Sequence, residues 1–348
     1  MKKFIELFVK ENGLDLCEEK VVRRVLEKAG LYSDDHVFPI ASLQLELTSH
    51  CNLYCKHCYN NSGMANNVKD NMTASRWINF AHYLVQKGGI FECILSGGEP
   101  FLLGDSLFEI MDILHDDGTC FMLLTNGHFI TAEKAKRLRK YRYHWLQVSI
   151  DGINAEQHDF FRQFKGSWQK AVDAARLVSS NHIPLKIAHC VTPNNLEDVD
   201  EMCDFAYSLG ASSIILGELC LSGRVADNMN LLLTNKQRRI LFQKIDENYH
   251  KYHGLMRVKR SNSVYKGLKR HQNKPNSGAV IRPNGDIRLD SMAPFIIGNI
   301  LQDDFASVWS EKLRKSWNSC DVDEYINGFD RNDRNYSQIN YVNDDMYI

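Results

Sequence analysis

The chain has 348 residues, of which 44% are hydrophobic and 24% are charged, and its formal net charge at pH 7 is −1. This length and composition allow a sizeable core in one large domain, or in a domain with an appendage, and the balanced charge gives no global sign of a nucleic-acid partner. No apolar run approaches the roughly 18 residues that a membrane span needs, and Glu6 interrupts the stretch where a signal peptide would have its apolar core, so neither a membrane partner nor export is expected.

Strands and helices alternate after a charged segment of helical character at residues 1–40. Apolar–polar alternation and short apolar runs predict six strands, at residues 43–50, 91–96, 120–125, 145–150, 185–191 and 212–219. Helical patterns separate them, at residues 74–87, 105–116, 131–140, a stretch ending near 180, and 196–210. Crossovers of this length join parallel strands, so the sequence predicts an α/β fold: a partial, open (βα)6 TIM-like barrel with its site at the carboxyl ends of the strands.

The pattern changes after residue 220. Residues 230–252 and 303–317 predict helices, and residues 281–290 predict a β-hairpin around Asn284-Gly285. Residues 257–274 are strongly basic and are interpreted as a solvated face, or alternatively as a surface that attracts an acidic peptide or a phosphate group.

Four segments follow from this change of pattern. They are an N-terminal helical segment (1–40), a βα core (41–225), a small C-terminal α+β extension (226–325) and a polar tail (326–348). The first is expected to cap the open barrel, with a part in recognising a leader peptide as the alternative. The tail is expected to be poorly ordered unless something docks it.

Three cysteines lie within eight positions directly after the first predicted strand. Cys51, Cys55 and Cys58 follow a C-x3-C-x2-C spacing, while the other seven of the ten cysteines are scattered. Cysteines in a chain without an export signal indicate a reducing, cytoplasmic setting. A [4Fe–4S] cube usually takes four thiolates, so three local ligands would leave one iron open. The alternative is a structural zinc site completed by His57 or another residue, although zinc sites commonly pair two C-x-x-C elements and no second pair occurs.

Short polar or glycine motifs follow each of the other five strands, at the predicted mouth of the barrel. They are Ser96-Gly97-Gly98-Glu99-Pro100, Thr125-Asn126-Gly127, Ser149-Ile150-Asp151-Gly152, Thr192-Pro193-Asn194-Asn195 and Leu221-Ser222-Gly223-Arg224. Ordinary turn and capping chemistry is the alternative: Glu99 as a solvated turn carboxylate, and Asn195 as a helix N-cap.

Together, the cysteine loop CNLYCKHCYN and the GGEP segment about 40 residues later resemble the radical SAM superfamily, over about residues 41–225. The resemblance implies one [4Fe–4S] cluster on Cys51, Cys55 and Cys58, whose open iron chelates S-adenosylmethionine. Reductive cleavage of that cofactor would give a 5′-deoxyadenosyl radical that abstracts hydrogen from a substrate. The implied cofactor-binding residues are Gly97, Gly98, Glu99, Pro100, Asn126, Ser149, Asp151, Asn194 and Arg224. His57 departs from the carbocyclic aromatic residue that often precedes the third cysteine, but an imidazole can still pack against the cluster.

Residues 277–317 resemble the SPASM extension of members that modify peptides, in which cysteines bind auxiliary clusters. Here no cysteine occurs between Cys220 and Cys320, and Asp290 stands at a position where a cysteine is expected. One thiolate cannot hold a cluster, so the sequence predicts a single cluster, with Asp290 as a structural or substrate-facing residue. An unusual iron ligand is the alternative role for Asp290.

The resemblance to SPASM enzymes implies a ribosomally synthesised peptide as substrate. The alternatives are a small molecule, such as a sugar or an amino acid, and a non-catalytic zinc-binding module. An external one-electron donor of the flavodoxin or ferredoxin type is the implied partner. Cys220, just beyond the sixth strand, is the candidate catalytic residue as a hydrogen-atom donor; the alternative is a buried apolar side chain.

Overall fold

The structure is a computed structural model that describes residues 40–63, 69–261, 263–328 and 345–348. Its centre is a run of seven parallel strands. They are β1 (Ile40–Glu46), β2 (Ile90–Ser96), β3 (Cys120–Thr125), β4 (Tyr143–Ser149), β5 (Leu185–Val191), β6 (Ser213–Glu218) and β7 (Arg257–Arg260). The helices of this part are α1 (Ala74–Lys87), α2 (Asp105–Asp116), α3 (Ala132–Leu138), α4 (Ala155–Arg162), α5 (Ser167–Ser180), α6 (Val199–Ser208) and α7 (Asn235–Lys251).

The C-terminal extension continues this sheet on the other side of β1. Its strands are β8 (Ala279–Ile281), β9 (Asp286–Asp290), β10 (Ala293–Asn299) and β11 (Met346–Tyr347). Its helices are α8 (Val264–Asn273), α9 (Phe305–Ser307), a π-helical turn (Val308–Lys312), α10 (Leu313–Trp317) and α11 (Cys320–Asn327). β8 pairs in parallel with β1, so the strand order is β11-β10-β9-β8-β1-β2-β3-β4-β5-β6-β7.

The main core lies between the sheet and its helices, because alternate strand residues face them. On β1, Leu43 and Leu45 are buried, whereas Ser42 and Gln44, which alternate with them, are only half-buried on the opposite face. Trp77 of α1 is fully buried, and its indole N–H donates to the Leu47 carbonyl at 2.8 Å. This bond fixes the point where the chain leaves β1 and enters the cysteine loop.

The predicted alternation of six strands and helices is confirmed, with two corrections to its limits. The first strand is Ile40–Glu46 rather than residues 43–50, because the ladder ends with the Leu47 N–H bonded to the Ser96 carbonyl at 2.9 Å. The single helical stretch ending near residue 180 is two helices, α4 and α5, separated where Gln163 takes a left-handed φ of 57°.

The basic run 257–274 contains a strand and a helix that its sequence pattern did not predict. Its interpretation as a solvated face, or as a surface that attracts an acidic peptide or a phosphate group, stays a prediction. Residues Arg257–Arg260 form β7, parallel to β6, and residues Val264–Asn273 form α8. Only Val258 of this strand is buried, and a single apolar residue among arginines and lysines carries no detectable alternation.

The predicted hairpin at Asn284-Gly285 is confirmed as the turn between β8 and β9, with Gly285 at a φ of 94°. The predicted helix at residues 1–40 lies outside the described residues, apart from residue 40, as do residues 329–344 of the polar tail. Residues 345–348 dock on β10. The limits proposed for the four segments stay predictions. Among the described residues, no helix has the length and apolarity to cross a membrane.

Candidate active site

The loop after β1 carries the three clustered cysteines, and the Gly97-Gly98 turn after β2 packs directly against it. The Gly98 N–H donates to the Thr48 carbonyl at 2.6 Å, and the Glu99 N–H donates to the His50 carbonyl at 2.9 Å. A β-carbon on Gly98 would lie 1.9 Å from the His50 oxygen, and Gly97 has a φ of 134°, which L side chains rarely adopt. These glycines therefore permit a close approach to the cysteine loop, and their predicted approach to the cofactor stays a prediction.

Glu99 joins the loops after β2 and β3 through a fully buried carboxylate. The carboxylate accepts hydrogen bonds from the Asn126 N–H at 2.8 Å, the Thr125 hydroxyl at 2.8 Å and the Phe101 N–H at 3.2 Å. Burial raises the pKa of Glu99 to about 7 despite these donors. The alternative of a solvated turn carboxylate is wrong, while the cofactor contacts expected of Glu99 and Pro100 stay predictions.

Each sulfur of the cysteine loop accepts hydrogen bonds from nitrogen donors. The donors are the Leu53 N–H (3.4 Å) and the Asn126 amide (3.8 Å) for Cys51, the Arg162 guanidinium (3.7 Å) for Cys55, and the Ser62 N–H (3.3 Å) for Cys58. Burial raises the pKa of Cys51 to about 12 and also raises the pKa of Cys55. Free thiols surrounded by N–H donors fit a thiolate-bound iron–sulfur cluster.

Arg224, which follows β6, donates hydrogen bonds to the same loop. Its Nε donates to the Cys55 carbonyl and its Nη1 to the Ser62 carbonyl, both at 2.7 Å. A β-carbon on the neighbouring Gly223 would lie 2.1 Å from the Cys58 oxygen. β1 and β6 are five places apart in the sheet, and neighbouring strands are spaced about 4.8 Å. Because the residues that follow these two strands are nevertheless in contact, the sheet must be curved. The cofactor contact predicted for Arg224 stays a prediction.

Asp151 follows β4 and lies in a buried ion pair beside the cysteine loop. Its Oδ2 accepts from Arg162 Nε at 2.7 Å and Nη2 at 2.6 Å, and its Oδ1 accepts from the Cys190 N–H at 2.8 Å. Burial opposes ionisation, but the Arg162 guanidinium holds the pKa of Asp151 well below its usual range. Both carboxylate oxygens are thus occupied within the protein. The cofactor contacts expected of Asp151 and of the half-buried Ser149 stay predictions.

His57 packs against α4 rather than standing alone. It stacks on Phe161 with ring centroids 4.2 Å apart and an interplanar angle of 11°, and its Nε2 lies 3.7 Å from the Asp151 carboxylate. Burial lowers the pKa of His57 to about 3, so the imidazole is neutral. From the same helix, His158 accepts the Asp151 N–H at 3.0 Å. Helix α4 therefore contacts the cysteine loop through Phe161 and Arg162, and contacts the adjoining Asp151 through His158.

The two asparagines after β5 have different surroundings. Asn195 is buried, accepts the Thr192 N–H at 2.7 Å and donates to the Cys190 carbonyl at 3.0 Å. Its alternative role as a helix N-cap is wrong, because Asp198 precedes α6. Asn194 is exposed and lines a cavity of about 390 Å³. Other residues of the cavity wall are Asp151, Asn154, Gln157, Phe160 and Phe161.

Cys220 is half-buried just beyond β6 and interacts electrostatically with the Cys190 thiol of β5. Cys190 lies near the buried Asp151 carboxylate, since ligand atoms of His57, Asp151 and Cys190 all lie within 4.8 Å of one another. The hydrogen-donor role of Cys220 stays a prediction.

Asp290 stabilises the extension. It accepts the Met292 N–H at 2.7 Å, and its other oxygen lies 3.4 Å from His271 Nε2. His271 in turn stacks on Trp317 with centroids 5.4 Å apart. These contacts agree with the structural role that was one of the two predicted for Asp290.

Helix α4 contributes two residues to the site that were not predicted from the sequence. His158 and Arg162 are four positions apart, so both face one side of this short helix, and both are buried. A buried histidine and arginine at that spacing, directly after the Asp151 motif, are the signal that could have identified them.

Comparisons with known proteins agree with this geometry. The family pattern of the Radical SAM superfamily matches residues 45–206. The mycofactocin maturase MftC of Mycolicibacterium smegmatis is 32% identical over 287 residues, which are 78% of this chain and 71% of that protein. The antilisterial bacteriocin subtilosin biosynthesis protein AlbA of Bacillus subtilis is 26% identical over 318 residues, 87% of this chain and 68% of that protein. Streptococcus suis SuiB bound to S-adenosylmethionine has the same fold, with a TM-score of 0.65 at 16% identity, over 91% of this chain and 78% of that one.

The curved, open parallel sheet with a cysteine loop at its carboxyl edge defines an α/β partial-barrel enzyme. This chain belongs to the radical SAM superfamily, whose members use a [4Fe–4S] cluster and S-adenosylmethionine. Membership in that family excludes the alternative of a non-catalytic zinc-binding module.

Proposed function

We propose that Cys51, Cys55 and Cys58 hold the [4Fe–4S] cluster, and that the enzyme modifies a ribosomally synthesised peptide. The observation that carries the proposal is the cysteine loop itself. Its three thiols are free, each is met by an N–H donor, and the loop is fixed by residues that follow β2, β3 and β6. Such a loop is preorganised to bind metal before any metal arrives.

Cys51, Cys55 and Cys58 would hold the cluster, which when bound would supply the electron for the reductive cleavage of S-adenosylmethionine. The residues of this chain position the loop and shield it. Gly98 and Arg224 hold its backbone, and Arg162 places a positive charge beside Cys55. The cavity beside Asn194 provides room at the same edge of the sheet for the nucleoside part of the cofactor. Cys220 is the proposed hydrogen-atom donor to a substrate radical.

A peptide substrate is supported by the relatives, since AlbA is named for bacteriocin biosynthesis and MftC as a maturase. It is also supported by the extension, which keeps the hairpin at Asn284-Gly285. An external one-electron donor of the flavodoxin or ferredoxin type completes the proposal. A cytoplasmic location is proposed because Cys51, Cys55 and Cys58 are free thiols, as a reducing compartment would keep them.

Anaerobic reconstitution tests the cluster assignment. The full chain is expected to bind about four irons and, with dithionite and S-adenosylmethionine, to form 5′-deoxyadenosine. Cys55→Ala should lose both iron and product, whereas Cys320→Ala, which changes an exposed cysteine of α11, should keep both. Full iron content in the Cys55→Ala protein would contradict the assignment.

A second experiment tests the substrate class. The enzyme is incubated with a candidate precursor peptide encoded beside its gene, and the peptide mass and deoxyadenosine yield are followed. A mass change that requires S-adenosylmethionine supports the peptide proposal. An unchanged peptide, together with modification of a sugar or amino acid, would favour the small-molecule alternative.

A further inference from the structure

The segment at residues 345–348 occupies an edge of the sheet. Met346 and Tyr347 form β11, which pairs in parallel with Phe295 and Ile296 of β10. The Ile348 N–H donates to the Ile296 carbonyl at 3.0 Å. Addition of a short extended segment to a sheet edge is a common way for proteins to bind peptides.

The anchor of this segment is Asp345. Its Oδ2 accepts a hydrogen bond from Arg282 Nη1 at 2.9 Å, and its Oδ1 lies 3.2 Å from Arg288 Nη2. Arg282 is 5% exposed and Arg288 is fully buried. Two guanidinium groups are rarely buried together, and here they converge on one carboxylate.

A second buried carboxylate lies beside Arg282. Glu46, at the end of β1, is fully buried and lies 3.7 Å from Arg282 Nε. Arg282 therefore lies between Glu46 and Asp345, and Arg288 lies beside Asp345. The Asp345 carboxylate offsets part of the buried positive charge of the two guanidinium groups.

This anion site adjoins the cysteine loop. Arg282 Nη2 donates to the Asn60 side-chain oxygen at 3.5 Å, and the Tyr59 hydroxyl donates to Glu46 at 3.3 Å. Tyr59 and Asn60 directly follow Cys58. An acidic residue bound between the arginines would hold its peptide next to the proposed cluster loop.

Within the part of the chain that the structure describes, residues 346–348 make few contacts. These residues are 46%, 70% and 40% exposed, in chain order, so each keeps much of its surface in contact with solvent. Beyond the backbone pairing, the tyrosine hydroxyl donates to Asp286 at 2.9 Å. The ion pair of Asp345 with the two arginines is thus the main polar anchor, and a competing peptide need only replace that anchor and a two-residue strand.

We propose that the edge of β10, with Arg282 and Arg288, binds an extended peptide segment that carries an acidic side chain, and that residues 345–348 occupy this site until such a peptide replaces them. The proposal rests on the proposed peptide-modifying function and names a chemical feature of its substrate. Recognition combines backbone hydrogen bonds to β10 with a carboxylate between two guanidinium groups.

Fluorescence anisotropy with the reconstituted full chain tests the proposal. The probe is the labelled synthetic peptide Asn-Asp-Asp-Met-Tyr-Ile, which copies residues 343–348. Asp345→Asn weakens the resident segment and should increase probe affinity about tenfold over the wild type. A matched probe with asparagine at both acidic positions should bind the Asp345→Asn protein at least tenfold more weakly. Asp321→Asn, an exposed change on α11, should bind like the wild type.

Equal probe affinity for the wild type and Asp345→Asn, no binding to either, or equal binding of the acid-free probe would each overturn the proposal. Adding Arg288→Met to Asp345→Asn should abolish binding while thermal unfolding checks that the protein still folds. The binding assay needs no turnover. Loss of deoxyadenosine formation would therefore refute the proposed function without changing the anisotropy result. Likewise, a failed anisotropy result would overturn the peptide-binding proposal without changing deoxyadenosine formation.

Discussion

Replacing either member of the Asp151–Arg162 ion pair is expected to shift the reduction potential of the cluster, in opposite directions. Arg162 Nη1 lies 3.7 Å from Cys55 Sγ, and the same guanidinium pairs with the Asp151 carboxylate at 2.6 Å. A positive charge near the cluster favours its reduced form, and a negative charge disfavours it. Arg162→Gln leaves the carboxylate alone and should lower the potential. Asp151→Asn leaves the guanidinium alone and should raise it.

The size of the shift follows from Coulomb's law. Two unit charges about 4 Å apart interact by about 4 kcal/mol at an effective dielectric constant of 20. The added electron spreads over the cluster beyond the Cys55 sulfur, so about half of this value is expected. An energy of about 2 kcal/mol corresponds to a shift of roughly 50–100 mV for a one-electron couple. The opposite charges of the intact pair largely cancel each other. The reduction potential of the double variant Arg162→Gln/Asp151→Asn should therefore lie near that of the wild type.

A redox titration followed by electron paramagnetic resonance measures the midpoint potential of each protein. Removing one partner of a buried ion pair costs about 3–5 kcal/mol of stability, so iron content and thermal unfolding are measured in parallel. If the ion pair had a purely structural role, both single variants would lose cluster content, and their reduction potentials would not shift in opposite directions. Shifts of the same sign, or potentials unchanged within about 20 mV at full iron content, would refute the electrostatic reasoning.

Gly98→Ala should prevent stable cluster binding, because the added β-carbon would lie 1.9 Å from the His50 oxygen. The control is Gly267→Ala on α8, whose added β-carbon would meet nothing within 4 Å. This control protein should keep full iron content after reconstitution. Burial raises the pKa of Glu99 from 4.5 to about 7, so the folded chain keeps a proton that the unfolded chain has released. The free energy of unfolding of the metal-free protein should therefore fall by about 3 kcal/mol as pH rises from about 4.5 to about 7. Urea titrations across that range should show this slope in the wild type and a flatter one in Glu99→Gln, and equal slopes would contradict the shift.

The sequence identified the parts of the fold that repeat, and the positions of the site that follow strands. β3 and β5 and helices α1 and α2 coincide with their predicted limits, because buried parallel strands and amphipathic helices have strong periodic patterns. β7 and β11 were not predicted. β7 has one buried valine among basic residues, and β11 has two exposed residues whose position depends on tertiary pairing.

The site was predicted as a set of residues facing a cofactor, and the structure places many of them in contacts with one another. Glu99 joins two loops, Arg224 binds loop carbonyls, and Asp151 pairs with Arg162. A sequence motif shows which residue types gather at one edge of a sheet. It does not show which partner each hydrogen bond has, because that depends on distances across strands far apart in the chain.

The hydrogen bonds from Arg224 to the cysteine loop connect the first strand of the barrel to the sixth across its mouth. Any widening of the barrel must lengthen or break them, so barrel width and the position of the metal-binding loop cannot change independently. A ligand that spreads the strands, even one that never touches a cysteine, should therefore perturb the optical and magnetic spectra of the cluster, which makes those spectra a reporter of occupancy.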